Sequence, residues 1–178
     1  GATGGVGIAA VEIAKAPGSR VIACGGSDSK LKSCIFKGAD NTINYKENVL
    51  RKELTKLNFK EIDVVIDMIG GQYALDSIKS LNWNGRFVTV GFASGNIPNI
   101  PANRLLLKNA SAIGLYWGEL AYREPNIIKK DFLKWEELYK KKLLKPNNHK
   151  TFKLKNASEA LHYLLERKNI GKIILKVN

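Results

Sequence analysis

The chain has 178 residues, enough for one compact domain with a sizeable core. Hydrophobic residues make up 44% and charged residues 25%, an ordinary soluble composition, and no apolar run reaches the length that would predict a membrane-spanning helix. The formal net charge of +13 invites an anionic partner, either phosphate groups or nucleic acid, although a lysine-rich solvated surface accounts for the same excess.

The opening Gly1-Ala2-Thr3-Gly4 lacks the basic and apolar regions of a secretion signal. Residues Ile8 to Lys15 predict an amphipathic helix stopped by Pro17-Gly18. Arg20 to Cys24 predicts a short strand, Ser29 to Phe36 a helix ended by Gly38, and Asn41 to Tyr45 an extended segment. A charged helix is expected over Asn48 to Leu57. Ile62 to Met68, with Asp-Val-Val-Ile-Asp at its centre, is an apolar run of the kind found in parallel strands covered on both faces. Tyr73 to Leu81 predicts a helix, and Asn84-Gly85 a turn into the strand Arg86 to Val90. Asn96 to Pro101 is a proline-punctuated loop, Ala112 to Trp117 a strand, and Asn126 to Lys142 a long helix. The lysine cluster Lys140-Lys141-Lys142, with Lys145, ends that helix where cations favour its dipole.

This alternation predicts an α/β fold with a doubly wound parallel sheet. Residues 1–145 form the predicted Rossmann-type domain, lacking the strand that normally precedes its glycine turn. A break at Lys145-Pro146-Asn147-Asn148 introduces a separate segment, 146–178. It holds Phe152-Lys153-Leu154, a helix from Ser158 to Arg167 and a strand from Lys172 to Val177.

The candidate chemistry begins at the N-terminus. Gly1, Gly4 and Gly7 are spaced three apart, with Gly5 added, and they open a helix. A dinucleotide turn needs glycine for a tight reversal, for close approach to pyrophosphate and for packing of helix on sheet. The helix that follows aims its open N–H groups and positive dipole end at the phosphates. The alternative is a glycine-rich turn without a ligand. An NAD-binding site places Asp or Glu at the end of the second strand, to hold the ribose hydroxyls. Here that place falls in Cys24-Gly25-Gly26, which has no carboxylate. Glycines leave room for a 2′-phosphate, and Ser27 and Lys30 can donate to it, which favours NADPH. Against this, Ser27 or Asp28 can serve only to cap the next helix, with Lys30 solvated.

Several segments then resemble one family. They are Gly-Ala-Thr-Gly-Gly-Val-Gly, Lys-Gly-Ala-Asp-Asn-Thr-Ile-Asn-Tyr, Asp-Val-Val-Ile-Asp, Val-Gly-Phe-Ala-Ser-Gly and the run from Ile97 to Gly118. Together they resemble the C-terminal half of zinc-independent, zeta-crystallin-like NADPH:quinone oxidoreductases of the medium-chain dehydrogenase/reductase superfamily. The resemblance implies that Gly4, Gly5, Val6 and Gly7 cradle the pyrophosphate. Gly26, Lys30, Tyr45 and Arg167 would surround the 2′-phosphate, and Gly71 would lie near a ribose. Val90, Gly91, Phe92 and Ala93, with Leu115, Tyr116 and Trp117, would lie by the nicotinamide. For Phe92 and Tyr116, plain core packing is the alternative.

The resemblance further implies hydride transfer from NADPH to a quinone or an α,β-unsaturated carbonyl. It implies no catalytic zinc, and a homodimer through the edge strand Ala112 to Trp117. Residues from about His149 onward would return to a GroES-like catalytic domain that precedes this chain, making the chain a fragment or one piece of a split gene product. No catalytic residue is assigned, because the substrate-side residues would lie in that other domain. His149 and His162 lack metal-ligand neighbours in sequence, and Cys24 and Cys34 are expected to be small packed residues in a reducing, cytoplasmic compartment. The close rival is an enoyl or other enone reductase of the same superfamily. A non-catalytic nucleotide-binding module is another reading. So is an RNA-binding protein, which the charge supports and the lack of an aromatic-and-basic motif opposes.

Overall fold

The computed structural model describes residues 1–57, 62–146 and 148–177; Asn147, part of the predicted break, lies outside the described residues. Every strand pair among the described residues is parallel, and helices separate the strands, as the predicted α/β class requires. Contacts divide the chain into two compact units. One comprises Gly1 and Tyr45–Lys134, the other Ala2–Asn44 and Trp135–Asn178.

The discontinuous unit opens with α1 (Gly5–Lys15), whose Ile8 and Val11 point inward three residues apart. Next come β1 (Ile22–Gly25), α2 (Asp28–Phe36) and β2 (Asn41–Asn44), with β1 and β2 paired from Ile22–Asn41 to Gly25–Asn44. Val11, Ala23, Leu31, Cys34 and Ala39 form the core here. A buried ion pair secures α1. Glu12, 8% exposed, accepts from Lys37 Nζ at 3.0 Å and from the Lys145 N–H at 3.0 Å. Lys37 Nζ also donates to the Lys145 carbonyl, so both partners grip the same residue.

The contiguous unit holds α3 (Leu50–Lys56), β3 (Ile62–Asp67), α4 (Gly71–Lys79), β4 (Leu81–Thr89), α5 (Ala102–Leu106), β5 (Ser111–Gly114) and α6 (Trp117–Arg123). The ladder order is β3-β4-β5, and Ala74, Ile78, Leu81 and Phe87 form its core. The helix α7 (Pro125–Lys140) leads out of this unit. Back in the discontinuous unit, β6 (Asn148–Lys153) and β7 (Lys172–Lys176) pair in parallel around α8 (Ala157–Leu165).

Three expectations need correction. The strand predicted over Ala112 to Trp117 stops at Gly114, because β4 offers no partner past Thr89. The last ladder bond runs from the Leu115 N–H to the Thr89 carbonyl, and Trp117 then starts α6. The predicted Asn84-Gly85 turn is a bulge inside a longer strand: Ile62 pairs with Leu81 but Val64 with Arg86, and Asn84 adopts φ +60°, which asparagine tolerates. The helix predicted to reach Arg167 ends at Leu165, with Arg167 left-handed at φ +54°. The short helices α5 and α6 were not predicted, since five and seven residues carry little periodic signal.

Removing one member of a buried ion pair strands the other. Glu12→Ala is therefore expected to cost about 3 kcal/mol in urea unfolding. A loss below about 0.5 kcal/mol, the level of an ordinary surface change, would show that the pair contributes nothing.

Candidate functional site

In the discontinuous unit, the glycine turn is tied on both sides. The Ala2 N–H donates to the Cys24 carbonyl of β1 at 2.9 Å, and the Gly171 N–H donates to the Thr3 carbonyl at 2.9 Å. Gly4 also forms a parallel bridge with Gly171. The turn therefore lies between β1 and the residues that lead into β7. Gly4 is the N-cap of α1 with extended backbone, and no side chain caps the helix. The first helical bond runs from the Ile8 N–H to the Gly4 carbonyl. The preceding amides of Gly5, Val6 and Gly7 belong to the set that a helix leaves without an internal acceptor. A side chain on Gly5 would place its Cβ 3.0 Å from the Lys172 side chain. Lys172 was not predicted as a site residue. No local motif marks it, and only the return of the C-terminal strand brings it to the turn.

At the end of β1, half-buried Gly26 precedes Ser27, the N-cap of α2, whose hydroxyl lies 2.9 Å from that of Ser29. No side chain caps α2 either, so Ser27 and Asp28 do not play the capping role that was the alternative to cofactor binding. Asp28 instead accepts from Asn44 Nδ2 at 3.2 Å, and Asn44 is only 6% exposed. Lys30 is not a solvated surface cation. Its ammonium donates to the backbone carbonyl of Arg167 and, at 3.2 Å, to that of Asn169. The Lys30 side chain thus reaches the backbone of Arg167, 137 positions away, within the same unit. The Cys24 thiol is pushed up to about 11 by burial, and burial also raises that of Cys34. Both stay protonated near neutral pH, as packed cysteines do.

The remaining predicted residues lie in the contiguous unit. Tyr45 is half-buried with its ring 4.3 Å from that of Tyr73. Asp67, the last residue of β3 and 8% exposed, accepts from the Ile69 N–H at 2.9 Å and the Gly70 N–H at 3.0 Å. Its own carbonyl accepts from the Val90 N–H at 2.7 Å. Two further bonds run from the Ala93 N–H to the Met68 carbonyl and from the Ser94 N–H to the Ile69 carbonyl, both 3.0 Å. A fourth joins the Gly71 N–H to the Asn96 carbonyl at 2.9 Å.

The turn carrying Gly71 and the segment carrying Val90, Gly91, Phe92 and Ala93 are thereby bound into one rigid edge at the C-terminal ends of β3 and β4. Thr89 Oγ1, across from Asp67 in register, is buried and lacks a hydrogen-bond partner among the described residues. Leu115, Tyr116 and Trp117 follow β5 at the same end. Phe92 and Tyr116 are 41% and 77% exposed, so core packing does not account for either. Asp67 was not singled out from the sequence, although its place closing an apolar strand before Gly70-Gly71 is the available signal.

The C-terminal ends of parallel strands are where open α/β sheets bind their ligands. The first-turn amides, the small residues around them and the nearby cations suit the pyrophosphate and phosphate groups of a dinucleotide. Among the described residues, no group of three or more His, Cys, Asp or Glu could hold a metal ion, and no helix is long and apolar enough to cross a membrane.

The zinc-binding dehydrogenase family model matches residues 5–134. The chain belongs to this family, within the medium-chain dehydrogenase/reductase superfamily, and corresponds to its C-terminal, Rossmann-type half. It is 38% identical to quinone oxidoreductase-like protein 2 of Rattus norvegicus over 178 residues, which is 99% of this chain and 51% of the relative. It is 34% identical to an NAD-dependent alcohol dehydrogenase of Sulfolobus acidocaldarius over 180 residues, 99% of this chain and 49% of the relative. The solved structure of a quinone oxidoreductase from Pseudomonas syringae matches with a TM-score of 0.83 and 27% identity, over 99% of this chain and 55% of that one. The chain spans about half the length of the curated relatives it matches.

The rigid edge demands glycine most strongly at Gly70. Gly70 has φ +75°, and a Cβ there would stand 2.6 Å from the Asn96 carbonyl oxygen. At Gly91 the nearest atom to a Cβ is 4.0 Å away. Gly70→Ala is expected to lower unfolding stability by at least about 2 kcal/mol, and Gly91→Ala by less than about 0.5 kcal/mol. Equal losses in a urea titration would contradict this account of the turn.

Proposed function

We propose that this chain is the NADPH-binding portion of a cytoplasmic, zinc-independent reductase that transfers hydride to a quinone or an α,β-unsaturated carbonyl. The observation that carries the reading is the Lys30 ammonium at the backbone of Arg167, in the unit whose strand β1 runs into Gly25-Gly26 without a carboxylate. A 2′-phosphate needs positive charge and an absence of acids there, and arginine adds planar, paired donors. Asp28, the nearest acid in sequence, is engaged by Asn44.

In this reading the amides of Gly5, Val6 and Gly7, with Gly4 before them, hold the pyrophosphate. Gly26, Lys30, Tyr45 and Arg167 hold the 2′-phosphate, and Gly71 lies by a ribose. Val90, Gly91, Phe92 and Ala93, with Leu115, Tyr116 and Trp117, lie by the nicotinamide, and their backbone groups fix its carboxamide. The bound nicotinamide supplies the hydride; the protein supplies position and electrostatics. Residues 1–145 serve as the dinucleotide-binding domain, and residues 146–178 return to a substrate domain that contains the polar groups acting on substrate. A homodimer through β5 belongs to the same reading. All four β5 residues are exposed, and an open strand edge calls for cover.

NADPH and NADH titrations of the full-length protein test the cofactor. Each charge-assisted contact is worth ~1.5–3 kcal/mol, so Arg167→Ala and Lys30→Ala should each weaken NADPH binding by about 10-fold or more. NADH affinity should stay unchanged, which also reports an intact fold. Equal affinity of the parent protein for both cofactors would overturn the assignment to NADPH.

A further inference from the structure

A second cluster of cations lies in the contiguous unit, away from the Gly70-Gly71 turn. A cavity of about 280 Å³ is lined by Arg51 of α3, Ile78 and Lys79 of α4, and Arg104, Leu107 and Lys108 of α5 and the residues after it. Four of these six residues are cationic and none is acidic. The turn opens the N-terminus of α4 and this cavity lies at its C-terminus, about 13 Å away for nine residues of helix. A ligand here would occupy the opposite end of the helix from the proposed cofactor residues.

Two of the charges, Lys79 and Lys108, are held in place. Lys108 Nζ donates to the Lys79 carbonyl at 2.9 Å and to the Leu81 carbonyl, which anchors it across the end of α4. The helix C-terminus offers about half a negative charge, too little to offset four cations. Lys79 pairs with Asp76 at 3.3 Å, and that carboxylate is shared with Gln72. Among the described residues, neither Arg51 nor Arg104 has an ion pair. Ile78, 1% exposed, contributes buried apolar surface to the lining. Like charges gathered around one cavity raise its potential and favour an anion.

We propose that this cavity binds a small phosphate-bearing ligand, with Arg51 and Arg104 as the paired donors and Lys79 and Lys108 as fixed charges. Guanidinium groups match phosphate oxygens two at a time. The volume, close to the lower end of small-molecule sites, suits a compact phosphate or diphosphate compound rather than a whole dinucleotide.

Inorganic pyrophosphate is the probe, titrated into ¹⁵N-labelled full-length protein at about 150 mM salt, where weak surface attraction is screened. The amides of Lys79, Leu107 and Lys108 should shift and saturate at millimolar or lower concentration. The double variant Arg51→Ser/Arg104→Ser should weaken that binding at least about 10-fold, as expected from losing two charge-assisted contacts. The control Lys129→Ser/Lys130→Ser removes two exposed cations from α7 and should leave it unchanged. Binding read at these amides is separate from any binding at the glycine turn, so the two outcomes stay distinguishable. Amides that fail to shift by about 10 mM, a concentration that excludes even millimolar affinity, would overturn the proposal. Equal weakening by both double variants would reduce it to the general pull of a basic surface.

Discussion

The start of α1 depends on two hydrogen bonds that hold a chain of small residues between a strand and the lead-in to another. Ala2 is tied to Cys24, and Thr3 accepts from Gly171. Between those anchors the backbone has no side-chain cap to offer, so the helix opens with bare amides and a positive dipole end. Unmet donors are costly where water is excluded, and a phosphate meets several of them at once. The C-terminal segment therefore contributes more than bulk to the turn. It supplies the Gly171 amide, the Lys172 side chain over Gly5, and the carbonyls of Arg167 and Asn169 that hold Lys30.

The contiguous unit solves a similar problem by other means. Its strand ends are stiffened by one carboxylate and a set of backbone bonds. Asp67 uses both carboxylate oxygens on consecutive amides, and the segments after β3 and β4 exchange four further hydrogen bonds. Such bonds fix the positions of neighbouring groups, which a loop of loose residues would spread. The exposed Phe92 stands on this stiffened edge, and the exposed Tyr116 and Trp117 follow β5 at the same end.

The sequence made the architecture legible where signals are local and long. The helix beginning at the glycine turn, the apolar strand Asp63-Val64-Val65-Ile66-Asp67 and the breaks at Pro17-Gly18 and Gly70-Gly71 all correspond to elements found at those places. What escaped was set by partners distant in the chain. The strand after Ser111 ends where its neighbour ends, and nothing within Ala112 to Trp117 announces that limit. Similarly, Lys172 and Asn96 reach their glycines only through folding. The family resemblance implied Lys30 and Arg167 at one phosphate, and in the fold the Lys30 ammonium meets the Arg167 backbone carbonyl. Spacing alone would not have joined residues 137 positions apart.

The division of the chain also has a bearing on how it reaches this structure. One unit is built from a continuous stretch, 45 to 134, whereas the other joins residues 2 to 44 with those from 135 onward. On a ribosome the first stretch emerges long before its partner. The intervening residues take on the order of ten seconds to synthesise. During that interval Val11, Leu31 and Cys34 can gather, but the amide of Gly171 and the peptide of Lys145 do not yet exist to fasten the turn and α1. The glycine turn is therefore among the last parts to become complete during biogenesis, and a nascent chain released early would carry a finished contiguous unit and an unsealed discontinuous one.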